Sequence, residues 1–433
     1  MFTIYSKTKR RDCEGNTRRD FLKVGAIGGS LLTLPNLLRA KAKAPTAVNN
    51  KSVIWIWLAG GPTHVETFDP KMTAPSEYRS ITGEAKTPLP GVTMGGTFPK
   101  IASCGDKMAL VRSFAHGNSS HGNATKWVMT GYDDRQGTRP SMGSIAARKY
   151  GTTHPLTGIP TYIRMNGIGG DGPGWLGTGY SPFDPNGQAV KNMGISVAED
   201  RFATRRGLLN SLDNINRKVD SSGKMEGIDA FEQQAFDLII GSSRDAFDIN
   251  KEPKHIREAY GSGTHGRQLL MTRRLLERGV RFIQVWSGNG QPWDNHDGLE
   301  KNHRKLAGEW DQPLAAFLTD LRQRGLLEST LVLWGGEFGR TPVAEYPQLN
   351  GRDHNHYGFT CWLAGGGTRG GYAHGATDEF GFRSVDKPVH VHDLHATMLH
   401  LLGLDHERLT YRHAGRDFRL TDVSGNVVKE LLA

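Results

Sequence analysis

The sequence predicts an α/β fold, a mostly parallel central sheet with helices on both faces. Three observations predict it. Two amphipathic segments, "HGRQLLMTRRLLERG" and "HRKLAGEWDQPLAAFLTDLRQRGLLE", lead into short apolar runs, "VRFIQVWS" and "TLVLWGG". Helix, tight turn and strand in repetition is the pattern of parallel strands joined by crossover helices. Two more apolar runs of strand length, "SVIWIWLAG" and "MALVRSF", are bounded by polar or turn residues. Finally, polar clusters follow the apolar runs, where doubly wound sheets bind ligands at the carboxyl ends of their strands.

The chain has 433 residues of ordinary globular composition, 37% hydrophobic and 23% charged. Its first segment stands apart. "TRRDFLKVGAIGGSLLTLPNLLRAKAKA" carries twin arginines, Arg18 and Arg19, then a weakly apolar Gly-rich core and Ala-x-Ala sites ending at Ala42 or Ala44. Residues 1–44 therefore read as a twin-arginine export signal, cleaved near 42–44. The translocase of that pathway is the expected partner, and the periplasm or the extracellular space the expected location. The alternatives, a short membrane anchor or a fraying helix, fit less well, because the apolar run contains Pro35 and is short for a span.

The signal carries seven of the ten net positive charges. The remainder is close to neutral and gives no reason to expect a nucleic-acid partner. It has no apolar run long enough to cross a bilayer. Cys13 falls in the signal, so Cys104 and Cys361 remain; one disulfide or two buried thiols are equally compatible with export.

Residues 45–433 read as one domain with a Gly- and Pro-rich insertion at about 151–225. Its most irregular part, 166–187, contains eight glycines. Residues 226–247 have a helical period. In "HDLHATMLHLLGL", Leu394, Met398, Leu401 and Leu402 share a helical face that Gly403 closes. The His residues nearby, His390, His392, His395 and His400, read mostly as capping or core groups.

The strand ends carry the chemistry. "VIWIWLAGG" leads to His64, Glu66 and Asp69; "VRFIQVWSGNGQPWDNHDG" to Asp294, His296 and Asp297; "TLVLWGGEFGRTP" to Glu337 and Arg340. One loop later "GRDHNHYG" offers Asp353, His354 and His356. Imidazoles and carboxylates in such a set are the ligands that divalent transition metals take. Alternation in an extended segment puts Asp294 with His296, and His354 with His356, on one side. Asp353 then faces away and can serve as a hydrogen-bond acceptor behind a ligand. "HGNSSHGNATKWVMTG" places Ser119, Ser120 and His121 before a helix ending near Thr130 and Gly131. It reads equally as a helix cap or as a nucleophile with anion-binding N–H groups. Arg340 could clamp an anionic oxyacid or pair with a neighbouring acid.

Several stretches, "LAGGPTHVETFDPK", "WDNHDGLEKNHRKLAGEWDQP", "LWGGEFGRTP", "GRDHNHYGFTCWLAGGG" and "VHDLHATMLHLLGLDHERLTYRHAGRDFRLTD", together resemble the family known as domain of unknown function 1501. The resemblance covers nearly all of 45–433. The family looks like a branch of the alkaline phosphatase and sulfatase superfamily, which implies an alkaline phosphatase-like three-layer sandwich with its site at the strand ends. It also implies divalent metal, Zn, Ca or Mn. Glu337 stands where the superfamily's Asp-His-Gly strand has its Asp, and Phe338 stands where it has His. Asp294 and His296 resemble a second ligand pair, and His354 a further ligand. "VMTG" matches the segment after the nucleophile helix, which puts His121 at the nucleophile slot with Ser120 adjacent. The first-strand Asp is missing, leaving His64, or failing that Glu66 or Asp69, to substitute.

The resulting expectation is an exported metal-dependent hydrolase of phosphate or sulfate esters acting on a small molecule or glycan. His64, Asp294, His296, Glu337, His354 and His356 are its candidate metal ligands; His121, Ser120 and Arg340 are its candidate catalytic groups. The alternative is a non-catalytic metal- or glycan-binding protein on a degenerate form of the same fold.

Overall fold

The structure is a computed structural model that describes residues 51–133, 139–167, 169–185, 242–344 and 350–433. The chain divides into two units, Met1–Asn49 and Asn50–Ala433. The expected signal and most of the 226–247 helix lie outside the described residues. No helix among the described residues is long and apolar enough to cross a membrane.

Seven strands form the central sheet: β1 (Ser52–Trp57), β2 (Met108–Phe114), β3 (Tyr162–Met165), β4 (Phe282–Trp286), β5 (Thr330–Gly335), β6 (Phe359–Ala364) and β7 (Tyr372–His374). Their spatial order is β7-β2-β6-β5-β1-β4-β3. β1 pairs in parallel with β4 and β5, β3 with β4, and β7 with β2; β6 alone runs antiparallel to its neighbours. Every parallel strand thus ends at one edge, and β6 begins there.

Among the described residues, the five longer helices are α1 (His121–Thr130), α2 (Met142–Tyr150), α3 (Thr264–Glu277), α4 (Leu299–Gln323) and α5 (Val391–Leu401). Strand residues alternate between two cores. Ile54 and Ile56 of β1 and Val332 and Trp334 of β5 pack with Leu269 and Leu275 of α3 and Leu314 and Phe317 of α4. Val53, Trp55 and Trp57 of β1 and Leu331 and Leu333 of β5 pack with Val128 of α1, Ile145 of α2 and Met398 of α5. A strand buried on both faces has no polar alternation, which is why these strands read as continuous apolar runs. The result is the expected three layers, helix, sheet and helix.

Two readings gain detail. The expected insertion at about 151–225 contains a sheet strand: β3, at its start, is the edge of the central sheet. "YIRM" is four residues long and broken by Arg164, which pairs with Asp171 at 2.9 Å, so its strand signal is weak. The cysteine alternative resolves as two free, buried thiols. Cys104 belongs to one core and Cys361 to the other, on opposite faces of the sheet.

Candidate metal centre

Gly60, just past β1, begins the site. Its φ of +105° is a left-handed conformation, and a Cβ there would lie 2.5 Å from the backbone nitrogen of Asp294. Only glycine lets the β1 loop lie this close under the loop that follows β4. The Gly60 N–H then donates to Glu337 Oε1 at 2.7 Å, joining the ends of β1 and β5.

Glu337 is buried and orients His121. The imidazole donates from Nδ1 to Glu337 Oε1 at 2.7 Å, which turns Nε2 toward Asp294 Oδ2 at 3.2 Å. His354 is fixed in the same way. Its Nδ1 donates to the Ser119 carbonyl at 2.7 Å, leaving Nε2 facing His296 Nε2 at 3.0 Å and Asp294 Oδ1 at 3.4 Å. Phe338, fully buried, packs against both rings, with centroids 4.9 Å from His121 and 4.5 Å from His354. The position where the family resemblance suggested a lost ligand thus supports two imidazoles.

Arg340 closes the site from below. Its guanidinium donates to the carbonyls of Gly60, Gly61 and Arg352 and to Asp294 Oδ1, and the side chain is wholly buried. The structure thus gives Arg340 a neighbouring acid and backbone carbonyls as partners, the second of its two sequence readings.

The electrostatics follow from this crowding. Burial works against a charge on His121, but its bonds to Asp294 and Glu337 prevail and raise its pKa to about 9. Burial likewise opposes ionisation of Asp294, yet His121, His354 and Arg340 hold its carboxyl well below the usual range. The carboxylates thus draw positive charge onto the ring between them.

His121, Asp294 and His354 bring ligand atoms within 4.8 Å of one another, and so do His296, Asp353 and His354. The residues fit a cation. Two imidazole Nε2 atoms and a carboxylate converge; a cation here would replace the proton between His121 Nε2 and Asp294, and Glu337 Oε2 is buried without a hydrogen-bond partner among the described residues. His296 Nε2 lies 3.0 Å from both His354 Nε2 and Asp294 Oδ1, a spacing that requires a proton or a metal ion among the three atoms.

Two expected ligands, His64 and His356, lie elsewhere, and so do Glu66 and Asp69, the acids suggested in place of His64. His64 sits in a one-turn helix, His64–Thr67, where Nε2 donates to the Gly381 carbonyl at 2.8 Å and Nδ1 packs against Gly339. Glu66, its suggested substitute, accepts from Ser80, Ile81 and Thr82, and Asp69 pairs with Lys71 at 3.0 Å. His356 parts from His354 because the two-residue strand His354–Asn355, paired with Gly339–Arg340, ends and the chain bends. Its ring packs against Tyr357 and, in a stacked geometry, His116. A cavity of about 380 Å³ opens here, lined by His116, Tyr357, His390 and Asp393 among others. Ser120 is the exposed N-cap of α1, and its hydroxyl makes no capping bond.

Sequence reasoning did not find Phe338, the Ser119 carbonyl or Arg352 as parts of the site. The Arg352 side chain pairs with Glu66 at 3.5 Å while its carbonyl receives Arg340. Backbone groups carry no sequence signal, and Arg352 was hidden beside the more conspicuous "DHNH".

Residues 50–432 match the family described as "Protein of unknown function (DUF1501)". The chain belongs to the DUF1501 family. No curated protein matches it. Among solved structures, this DUF1501 chain is similar to the C-terminal periplasmic domain of EcEptC from Escherichia coli in complex with Zn, at 9% identity and TM-score 0.39, covering 83% of this chain and 84% of that one. It is also similar to the phosphonate monoester hydrolase of Agrobacterium radiobacter, at 11% identity and TM-score 0.38, covering 82% and 74%. A third is the lipoteichoic acid synthase LtaP from Listeria monocytogenes, at 10% identity and TM-score 0.34, covering 83% and 73%. Likeness this distant says nothing about ligands.

Proposed function

We propose that this DUF1501 protein is an exported, metal-dependent hydrolase of phosphate or sulfate esters. One observation carries the reading: Glu337 and the Ser119 carbonyl each take an Nδ1 proton, so His121 and His354 both present Nε2 beside Asp294. Hydrogen-bonded imidazoles fixed in this way are the usual company of a metal ion. His121, Asp294 and His354 would hold the cation, which would supply Lewis acidity toward an ester oxygen. Glu337 orients His121, and Arg340 orients Asp294. Ser120, exposed at the N-cap beside His121, is the candidate nucleophile. The cavity at Tyr357 and His390 has room for the body of a small ester or a sugar residue. Export through the twin-arginine pathway rests on residues 1–44, and the cation is Zn, Mn or Ca.

A second reading, cation or glycan binding without turnover, is favoured by the burial of Arg340. With its guanidinium turned onto three carbonyls and Asp294, an anionic substrate must find its positive charge elsewhere. Metal analysis of the purified mature chain, followed by a screen of phosphate and sulfate esters, separates the two. The hydrolase reading expects a bound divalent ion and hydrolysis that Asp294→Ala abolishes. An ion with no product from any ester favours the second reading, and folded protein that binds no metal sinks both.

A further inference from the structure

The two ligand sets that share His354 are not equivalent. Asp294 anchors the first, and the buried Glu337 stands directly behind its His121. The second has one carboxylate of its own, the exposed Asp353; Asp294 Oδ1 also lies 3.0 Å from His296 Nε2, but that oxygen is already held by Arg340. It also has a fixed positive neighbour, because Arg340 Nη1 lies 3.3 Å from His296 Nε2 while Nη2 holds Asp294 Oδ1. A divalent ion on His296 would meet this guanidinium at short range, with like charges, and would compete with it for Asp294 Oδ1.

We propose that the centre takes one divalent cation, on His121, Asp294 and His354, and that Arg340 is a positioning residue whose fixed charge stands where a second cation would bind. The proposal deepens the metal-centre reading and rests on it. Arg340 is held against movement. Its Nε donates to the Gly61 carbonyl at 2.9 Å and Nη1 to the Arg352 carbonyl at 3.1 Å, and the side chain is fully buried. Arg352 is held in turn by Glu66 at 3.5 Å. The Glu66 carboxylate also accepts from the Ser80 hydroxyl at 2.6 Å, the Thr82 hydroxyl at 2.7 Å and the Ile81 N–H at 3.0 Å. Glu66 therefore acts on the centre without touching it. Its buried negative charge fixes Arg352, the Arg352 carbonyl fixes Arg340, and Arg340 leaves Oδ2 of Asp294 turned to His121. This gives the segment "GGPTHVETFDPK" a role in the site that a search for ligands within it does not reveal.

The test counts ions. The full chain is stripped with chelator and dialysed against Zn²⁺ or Mn²⁺. Bound metal is measured by mass spectrometry and affinity by calorimetry, with circular dichroism to confirm folding. Wild-type protein and Asp353→Asn are expected to bind one ion per chain with equal affinity. Arg340→Gln is expected to bind it roughly 10–100-fold more weakly, as for other groups that orient a ligand. Should Arg340→Gln not fold, Glu66→Gln reports the same effect in smaller measure from a site remote from the cation. Two ions in the wild type, an ion lost in Asp353→Asn, or unchanged affinity in the folded Arg340 or Glu66 variant overturns the role of Arg340. No ion in the wild type overturns the metal centre, and this proposal with it.

Discussion

Glu337 shows how a residue's role can differ from its chemistry in the sequence. Its carboxylate at a strand end looked like a ligand, yet it accepts from Gly60 and His121 and sets the tautomer of the latter. Removing it should leave His121 free to turn, so Glu337→Ala is expected to weaken metal binding roughly 10–100-fold while the fold persists; calorimetric titration with Zn²⁺ checks this. His64 gives the opposite expectation. Its imidazole satisfies the Gly381 carbonyl in the core, so His64→Ala should lower stability by about 1–3 kcal/mol and leave metal content unchanged. Urea denaturation and metal analysis of the same preparation decide it. At this scale the sequence disclosed which side-chain types gather at the strand ends. It could not disclose which nitrogen of an imidazole faces inward, because Glu337 and the Ser119 carbonyl decide that only once the chain has folded.

The elements were easier to read than the residues on them. Strands β1, β2, β4 and β5 and helices α3, α4 and α5 follow from hydrophobic periodicity, because each buries a continuous face. The edge strand β3 is short, and the His354–Asn355 strand is shorter still, so neither has a period to detect. The helix α1 was readable as a capped helix, but what secures its far end was not. Gly131 closes it with φ of +81°, and a Cβ there would lie 1.8 Å from the Leu420 carbonyl oxygen. His392 and His395 of α5 donate to the carbonyls of Gly131 and Val128 at 2.6 and 2.7 Å. The C-terminal histidines read from sequence as capping or core groups therefore fasten the helix that begins at His121. Gly131→Ala should cost about 2 kcal/mol or more, since a left-handed backbone alone costs an L residue roughly 1–2 kcal/mol before the clash. Thermal and chemical denaturation measure it, and a change below 0.5 kcal/mol, within the usual range for a neutral surface substitution, would show that the end of α1 is not fixed in this way.

Across the whole molecule, the two-faced sheet imposes a pH dependence. His64, His116, His303 and His395 are buried imidazoles whose pKa burial pushes down to about 4. The unfolded chain binds protons at these sites near pH 6.5, and the folded chain does not until about pH 4. Stability therefore falls as pH drops through that window, by about 2 kcal/mol per histidine at pH 5. Urea midpoints at pH 7 and pH 5 should differ accordingly, and equal midpoints would contradict the burial of these rings. Everything proposed for the site depends on a cation at the strand ends. Its most direct measurement is an anomalous-difference map from crystals of the purified protein grown with Zn²⁺ and recorded at the zinc absorption edge. One strong peak is expected in bonding range of His121 Nε2, Asp294 Oδ2 and His354 Nε2; no peak there, or a peak beside His64 or His356 instead, overturns the metal centre.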